Sequence, residues 1–338
     1  MSKATYILNR SAITFLVLVC LVCLFSRQII GALGLDQDVH LAATNLSPTW
    51  DSGYLFGSDN LGRNVLAMVI SGAKSSMAIS VLAALFATTI GVVFGAIAGF
   101  FGDQKLRVSR AGACIALLAI PLIGYYFSLA QMVAEQDKFW MALGLVLVVT
   151  VTAWILSYFL KKIPFLSKPV SLPIDVAHTK VVELFMAVPA YFILLALSGL
   201  FQPSVSSLVV IISIMSWPST ALLVRGEMLK IREMDFILAQ KLAGIPWYRS
   251  LVFHAIPNAI EPALVNMVFL ASGLLVVEST LSFIGIGLPN EIISWGKILG
   301  SFRFNTSNWW VILFPGLVIF STILCFHRLG KMLKNSRR

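Results

Sequence analysis

RGEMLKIREMDFILAQKLAGIPWYRSLVFHAIPNAIEP, residues 225–262, is the one segment past the middle of the chain that cannot sit in lipid, although long apolar runs flank it. It carries Arg225, Glu227, Lys230, Arg232, Glu233, Asp235, Lys241 and Arg249, and each charge at a bilayer centre costs roughly 2.5–3.5 kcal/mol. The segment is therefore a polar loop between two spans. It is not an unstructured one: Met234, Ile237, Leu238 and Leu242 recur at helical spacing, and Gly244 followed by Pro246 stops the helix. A second short helix is expected over residues 247–254, ending before Pro257. A membrane chain that keeps a helix, a turn and another helix in water most often does so to be gripped by another protein.

Composition sets the class. The chain is 58% hydrophobic and 12% charged, against roughly 25% charged residues in soluble domains, which makes it a polytopic membrane protein. Its balance of +10 is read as topology rather than as affinity for nucleic acid, because Lys and Arg collect on cytoplasmic loops. Cys20, Cys23, Cys114 and Cys325 fall in apolar runs and imply neither a disulfide framework nor a zinc site.

About 20 residues cross a bilayer core, and the apolar runs predict eight crossings. The first, residues 11–30, is read as an uncleaved span rather than a signal peptide, since it is longer than an h-region and lacks a small-x-small cleavage site. A polar, turn-rich outer loop follows over residues 31–74. The second span, 75–101, carries Gly91, Gly95, Ala96, Ala98 and Gly99, small residues that let helices approach closely in lipid. Residues 111–134 and 139–160 read as a hairpin of two spans within a segment 104–178, with a proline-containing loop after it. The remaining spans are 181–201, 206–224, 263–288 and 309–327, with the loop 225–262 among them and a basic tail from 329 to 338. Of the 25 Lys and Arg, nineteen then fall inside and six outside, namely Arg27, Arg63, Lys74, Lys138, Lys297 and Arg303. That bias places both termini and the 225–262 loop in the cytoplasm.

No catalytic set emerges. There is no G-x-x-x-x-G-K-[ST] phosphate loop, so the chain is not expected to hydrolyse ATP itself. His40, His178, His254 and His327 are too scattered for a metal site, and no serine has a nucleophile context, so no cofactor or metal is expected. Glu278, in VVESTLSFIGIG, is the one acid deep within a span. It reads either as a polar group on a translocation path or as a carboxyl hydrogen-bonded between helices through Ser279 or Thr280; the second reading is preferred.

DFILAQKLAGIPWYRSLVFHAIPN resembles the cytoplasmic signature of ABC-importer permeases: E-A-A, three residues, Gly, nine residues, then Ile-x-Leu-Pro. Leu238, Ala239 and Gln240 hold the E-A-A positions, Gly244 the glycine, and His254, Ala255, Ile256 and Pro257 the closing positions. The spacing matches in full, while Leu238, Gln240 and His254 depart from the usual letters. FGSDNLGRNVLAMVISGAKSSMAISV, GAIAGFFGD, KVVELFMAVPAYFILLAL, WPSTALLVRGEMLKIREMDF, ESTLSFIGIGLPNEIISWGKIL and NWWVILFPGL are similar, in the same order, to the second (C-type) permease subunit of dipeptide and oligopeptide importers, with Asn64 where Asp is usual. The likeness covers nearly the whole chain outside residues 104–178.

The resemblance implies an all-α, type I ABC-permease fold in the bacterial inner membrane, a six-span core enlarged here by an inserted hairpin. It implies a homologous second permease subunit, two ABC ATPase subunits and an extracytoplasmic substrate-binding protein as partners, with lipid around them. Peptides are the implied substrate; nickel, glutathione or a sugar are alternatives, and a secondary carrier is disfavoured by the lack of an internal repeat. Within the coupling loop, Asp235, Ala239, Gln240 and Leu242 would carry the ATPase contact, Gly244 the tight turn and Pro257 the closing position. Arg249 would pair with an acid on the ATPase. Trp247 and Tyr248 fit either that interface or aromatic anchoring at the headgroup layer.

Overall fold

The computed structural model describes residues 3–50, 53–103, 107–109 and 169–335, with isolated positions between 144 and 158. Apart from those isolated positions, the expected hairpin of spans over 111–134 and 139–160 lies outside the described residues. The chain forms two compact units, Met1–Phe100 with Lys180–Arg338, and Phe101–Thr179. In the second, β1 (Arg107–Ser109) pairs antiparallel with β2 (Pro169–Ser171), Val108 opposite Val170. The fold is thus not purely helical: the strand entering the insert and the strand leaving it run side by side.

The first unit is helical. Helix α1 (Lys3–Ala32) departs from helical geometry at Phe25. Helix α2 spans Val65–Phe101 and α3 Ile174–Ala187, followed by α4 (Ala190–Leu200) and α5 (Val205–Ile231). Next come α6 (Asp235–Leu242), α7 (Trp247–Arg249), a π turn over Ser250–Ala255 and α8 (Ile256–Ile284). The short α9 (Trp295–Ser301) precedes α10 (Trp310–Asn335). Among the described residues, five helices are long and apolar enough to cross a membrane: Arg10–Ala32, Val65–Phe101, Val205–Ile231, Trp247–Ile284 and Trp310–Asn335. A sixth crossing is counted if the bent pair α3–α4 is one span.

Helices α5 and α10 run on to Ile231 and Asn335, past the expected span ends at 224 and 327, so the expected polar loop begins within α5; three further boundaries also differ from the sequence expectation. Helix α2 starts at Val65 rather than near residue 75, because Asn64 caps it: its Oδ1 accepts from the backbone N–H of Leu66 at 3.0 Å and of Ala67 at 3.4 Å. The run 181–201 is not one straight span. It breaks before Pro189, and Ala190–Gly199 turns away from Ile174–Ala187 by 81°, consistent with the steric bar that proline sets on a helical residue before it. The helix after Trp247 does not stop short of Pro257 but runs on to Ile284. Pro257 falls in the first turn of α8, where a missing N–H is tolerated, and the π turn before it shifts the hydrogen-bond register.

The core sits where α2, α5, α8 and α9 meet, filled by Met68 and Ile79, Leu208 and Ile212, Leu275 and Leu281, and Trp295 and Ile298. Lipid is as apolar as this core, so close packing rather than escape from water holds helices together. A Cβ built on Gly91, Gly95 or Gly99 of α2 would lie 2.7 Å from Thr220 Cβ, 2.4 Å from Ala221 O and 2.5 Å from Met228 Cβ. Glycine at these three places is what lets α2 and α5 touch backbone to backbone. The opposite face of α2, with Phe86 and Val93, is exposed.

The segment between α1 and α2 is a folded clasp. Asp59, fully buried, accepts from the backbone N–H groups of Leu61 and Arg63 at 2.9 Å each and from Arg63 Nε and Nη2 at 2.8 and 2.6 Å. Trp310 Nε1 donates to Ser58 O at 2.9 Å, and Phe56 stacks on Phe314 with ring centroids 3.9 Å apart. These contacts tie the loop to the start of α10.

Candidate functional site

The α6–α7 segment is built by local rules. Asp235 opens α6 and Lys241 lies in its last turn, each sign favoured by the helix dipole at its end. The helix closes in a Schellman motif: Ile245 N–H donates to Gln240 O at 3.0 Å and Gly244 N–H to Lys241 O at 3.2 Å. Gly244 stands at φ 73, the left-handed region this closure requires. Pro246 then sets the extended backbone before α7, and its carbonyl accepts from Arg249 N–H at 3.0 Å.

Only one side of this segment is seated. Ile237, Ser250, Leu251 and Ala255 are buried, and Arg232 Nη1 donates to Gly99 O at 3.4 Å, holding the end of α5 to α2. The other side faces outward. Leu242 is 90% exposed, Phe253 69% and Trp247 56%, and Trp247 meets Tyr248 edge to face at 6.0 Å. Asp235, Ala239, Arg249 and Pro257 are exposed as well. Gln240 is half-buried, and its Oε1 has no hydrogen-bond partner among the described residues. Arg249 makes no ion pair among the described residues. The structure therefore places Asp235, Ala239, Gln240, Leu242, Gly244, Trp247, Tyr248 and Arg249 in one short helix–turn–helix segment, while Pro257 lies beyond it in the first turn of α8.

Glu278 is elsewhere, on the same continuous helix as Pro257 but roughly 30 Å farther along at 1.5 Å per residue. It is fully buried. Ser282 Oγ donates to its Oε1 at 2.8 Å and Ser279 Oγ to its Oε2 at 3.4 Å, with the hydroxyls of Ser76 and Ser294 completing the set. Thr280, the other partner the sequence offered, donates instead to Val276 O at 2.8 Å. Ser76 also fastens α9, Trp295 N–H donating to its Oγ at 3.1 Å, and two neighbouring bonds help: Trp295 Nε1 donates to Val69 O at 2.9 Å and Ser75 Oγ to Ile293 O. Glu278 is thus the acceptor at the junction of α2, α8 and α9.

Sequence reasoning passed over a further cluster. Arg63, Lys297 and Arg303 line one cavity at the Ile284 end of α8, and the only advance signal was that all three are among the few basic residues assigned outside.

Residues 172–338 match the family described as binding-protein-dependent transport system inner membrane component. The chain is 33% identical over 162 residues to a putative peptide transport system permease protein of Brucella suis, covering 48% of this chain and 55% of that relative. It spans about half the length of that relative. It is 24% identical to the dipeptide transport system permease protein DppC of Bacillus subtilis over 97% of this chain and 82% of the relative. To the oligopeptide transport system permease protein OppC of Haemophilus influenzae it is 21% identical over 99% and 86%.

Proposed function

We propose that this chain, whose residues 172–338 match the family described as binding-protein-dependent transport system inner membrane component, is a member of that family and the C-type permease subunit of an ATP-driven importer of di- or oligopeptides. The observation that carries the reading is the protruding α6–α7 element, closed at Gly244 and offering Leu242, Trp247 and Tyr248 outward. Its motif spacing is that of the ATPase-coupling loop of ABC permeases. The excess of Lys and Arg on the segments assigned inside supports a cytoplasmic position for it and for both termini, in a bacterial cell whose inner membrane holds the protein.

In this reading a homologous second permease subunit encloses the path together with this chain, and each of two ABC ATPase subunits receives one coupling element in a cleft. ATP-driven closure of the ATPases shifts the spans toward an outward-facing arrangement, which accepts solute from an extracytoplasmic binding protein; hydrolysis restores the inward-facing one. The ligands act through their different affinities for the two states. Asp235, Ala239, Gln240 and Leu242 contact the ATPase, Arg249 meets an acid there, and Trp247 and Tyr248 pack at the interface. Glu278 takes a structural role, bonding α8 to α9.

The test is Gly244→Asp in the complete transporter. A side chain in the left-handed region strains the turn by about 1 kcal/mol, and it places a carboxylate at the contact. ATP hydrolysis is expected to continue while uptake falls at least tenfold, with the protein still inserted in the membrane. Unchanged uptake refutes the assignment.

A further inference from the structure

The cavity at the Ile284 end of α8 has a volume of about 590 Å³ and is walled by Arg63, Lys297, Arg303, Asn290, Ser301 and Phe304 among others, with no carboxylate side chain in its lining. That volume falls in the range of small-molecule sites, roughly 300–1,000 Å³. It lies at the opposite end of the Trp247–Ile284 helix from the coupling element. Its charges are unevenly compensated. Arg63 is neutralised by the buried Asp59 at 2.6 Å. Lys297 donates to the carbonyl of Pro289, and Arg303 donates to Gly300 O at 3.2 Å with its guanidinium 5.2 Å from the centre of the Phe283 ring. Neither makes an ion pair among the described residues. Glu291 and the buried Glu278 act on Lys297 electrostatically without forming an ion pair with it, and Glu291 lines a neighbouring cavity with Arg27 and Lys74. Desolvation, together with the like charge of Arg63, holds the Lys297 ammonium below the ordinary lysine range. The cavity thus holds two cations that make no ion pair among the described residues, amid neutral hydrogen-bonding groups and apolar wall.

We infer that this cavity binds the carboxylate of a small solute, with Lys297 and Arg303 taking the carboxylate, Asn290 and Ser301 bonding neutral polar groups beside it, and Phe304 packing on the apolar part. A short peptide with a free C-terminus has this chemistry. A concave site of this size suits a small solute better than a flat protein face does. The inference rests on the permease reading for the side from which solute arrives.

The full chain in phosphatidylcholine nanodiscs is titrated with L-alanyl-L-alanine and with its C-terminal amide, read by calorimetry or saturation-transfer NMR. The free acid is expected to bind about tenfold more tightly than the amide, the scale of one charge-assisted contact. The Lys297→Gln/Arg303→Gln variant is expected to bind both as weakly as the amide. Equal binding of acid and amide by the wild-type chain overturns the inference, as does an acid preference that survives in the double variant, or no binding by a chain whose melting shows it folded. Repetition in phosphatidylglycerol nanodiscs separates the source of the anion. Retained acid binding supports a solute site, whereas loss of binding there alone gives the cavity to a lipid headgroup and overturns the inference. Uptake by the assembled transporter is read separately: peptide uptake with no acid preference on the isolated chain rejects the pocket and leaves the permease reading standing, and an acid preference with no peptide uptake does the reverse.

Discussion

Gly95→Ala gives the sharpest test of how the bundle is held. The added Cβ would sit 2.4 Å from Ala221 O and 3.1 Å from both Ala221 C and Arg225 N, all backbone atoms of α5. None can swing aside as a side chain would. Restoring an ordinary contact of 3.4 Å requires α2 and α5 to part by about 1 Å, which also loosens the Gly91 and Gly99 contacts on the same face. Overpacking of this kind costs about 1–3 kcal/mol, while Ala in place of Gly returns up to about 1 kcal/mol of helix propensity. The expected net is a loss of about 1–2 kcal/mol, a factor of roughly 5–30 in the folded ratio. Gly273→Ala on α8 is the control, since nothing lies within 4 Å of its built Cβ; it is expected to leave stability unchanged or raise it. Thermal unfolding of the purified chain in detergent, followed by tryptophan fluorescence, reads both. Trp217 on α5, 5.4 Å from the Phe94 ring of α2, reports on this seam. A Gly95→Ala chain as stable as the Gly273→Ala chain would refute backbone contact between α2 and α5.

Two further substitutions test the buried polar groups. Glu278→Gln keeps an acceptor for Ser282 and Ser279 and is expected to preserve stability and uptake, whereas Glu278→Leu orphans those hydroxyls at about 1–3 kcal/mol; melting curves compare the two, and lost uptake by an intact Glu278→Gln assembly would move the residue to the path. Asp59→Ala strips Arg63 of its buried partner, a loss of about 3–5 kcal/mol, and limited proteolysis is expected to cut the segment between α1 and α2 in the variant but not in the wild type.

Much of this architecture was legible because lipid imposes one demand on every span, a run of apolar residues long enough to cross. The polar 225–262 stretch therefore stood out at once, and Gly244 announced its own turn. Proline was harder to read. Pro189 reads as the interior of one span but marks an 81° bend, while Pro257 reads as a stop but lies in the first turn of a continuing helix. Both positions are local, but which reading wins depends on neighbours that redirect or continue the chain. The Asn64 cap carried a readable signal that was hidden because the residues after it, with Ser71 and Lys74, look unlike a span. The clasp and the Arg63–Lys297–Arg303 cavity were out of reach for another reason. Trp310 finds Ser58 across most of the chain, and the three cations come from separate turns, so no window of sequence holds them together. For Glu278 the need for a hydroxyl was foreseen, but the helical phase chose Ser282, four residues on, over Thr280.

The unbroken helix from Trp247 to Ile284 has a mechanical consequence. At 1.5 Å per residue its 38 residues make a rod about 57 Å long, nearly twice the hydrocarbon thickness of about 30 Å. Rocking it by about 5° around its midpoint swings each tip by about 2.5 Å, in opposite directions. With its regular geometry interrupted only by the π turn and by Pro262 inside α8, a movement of the aromatic pair is carried toward the helix end that α9 leans on.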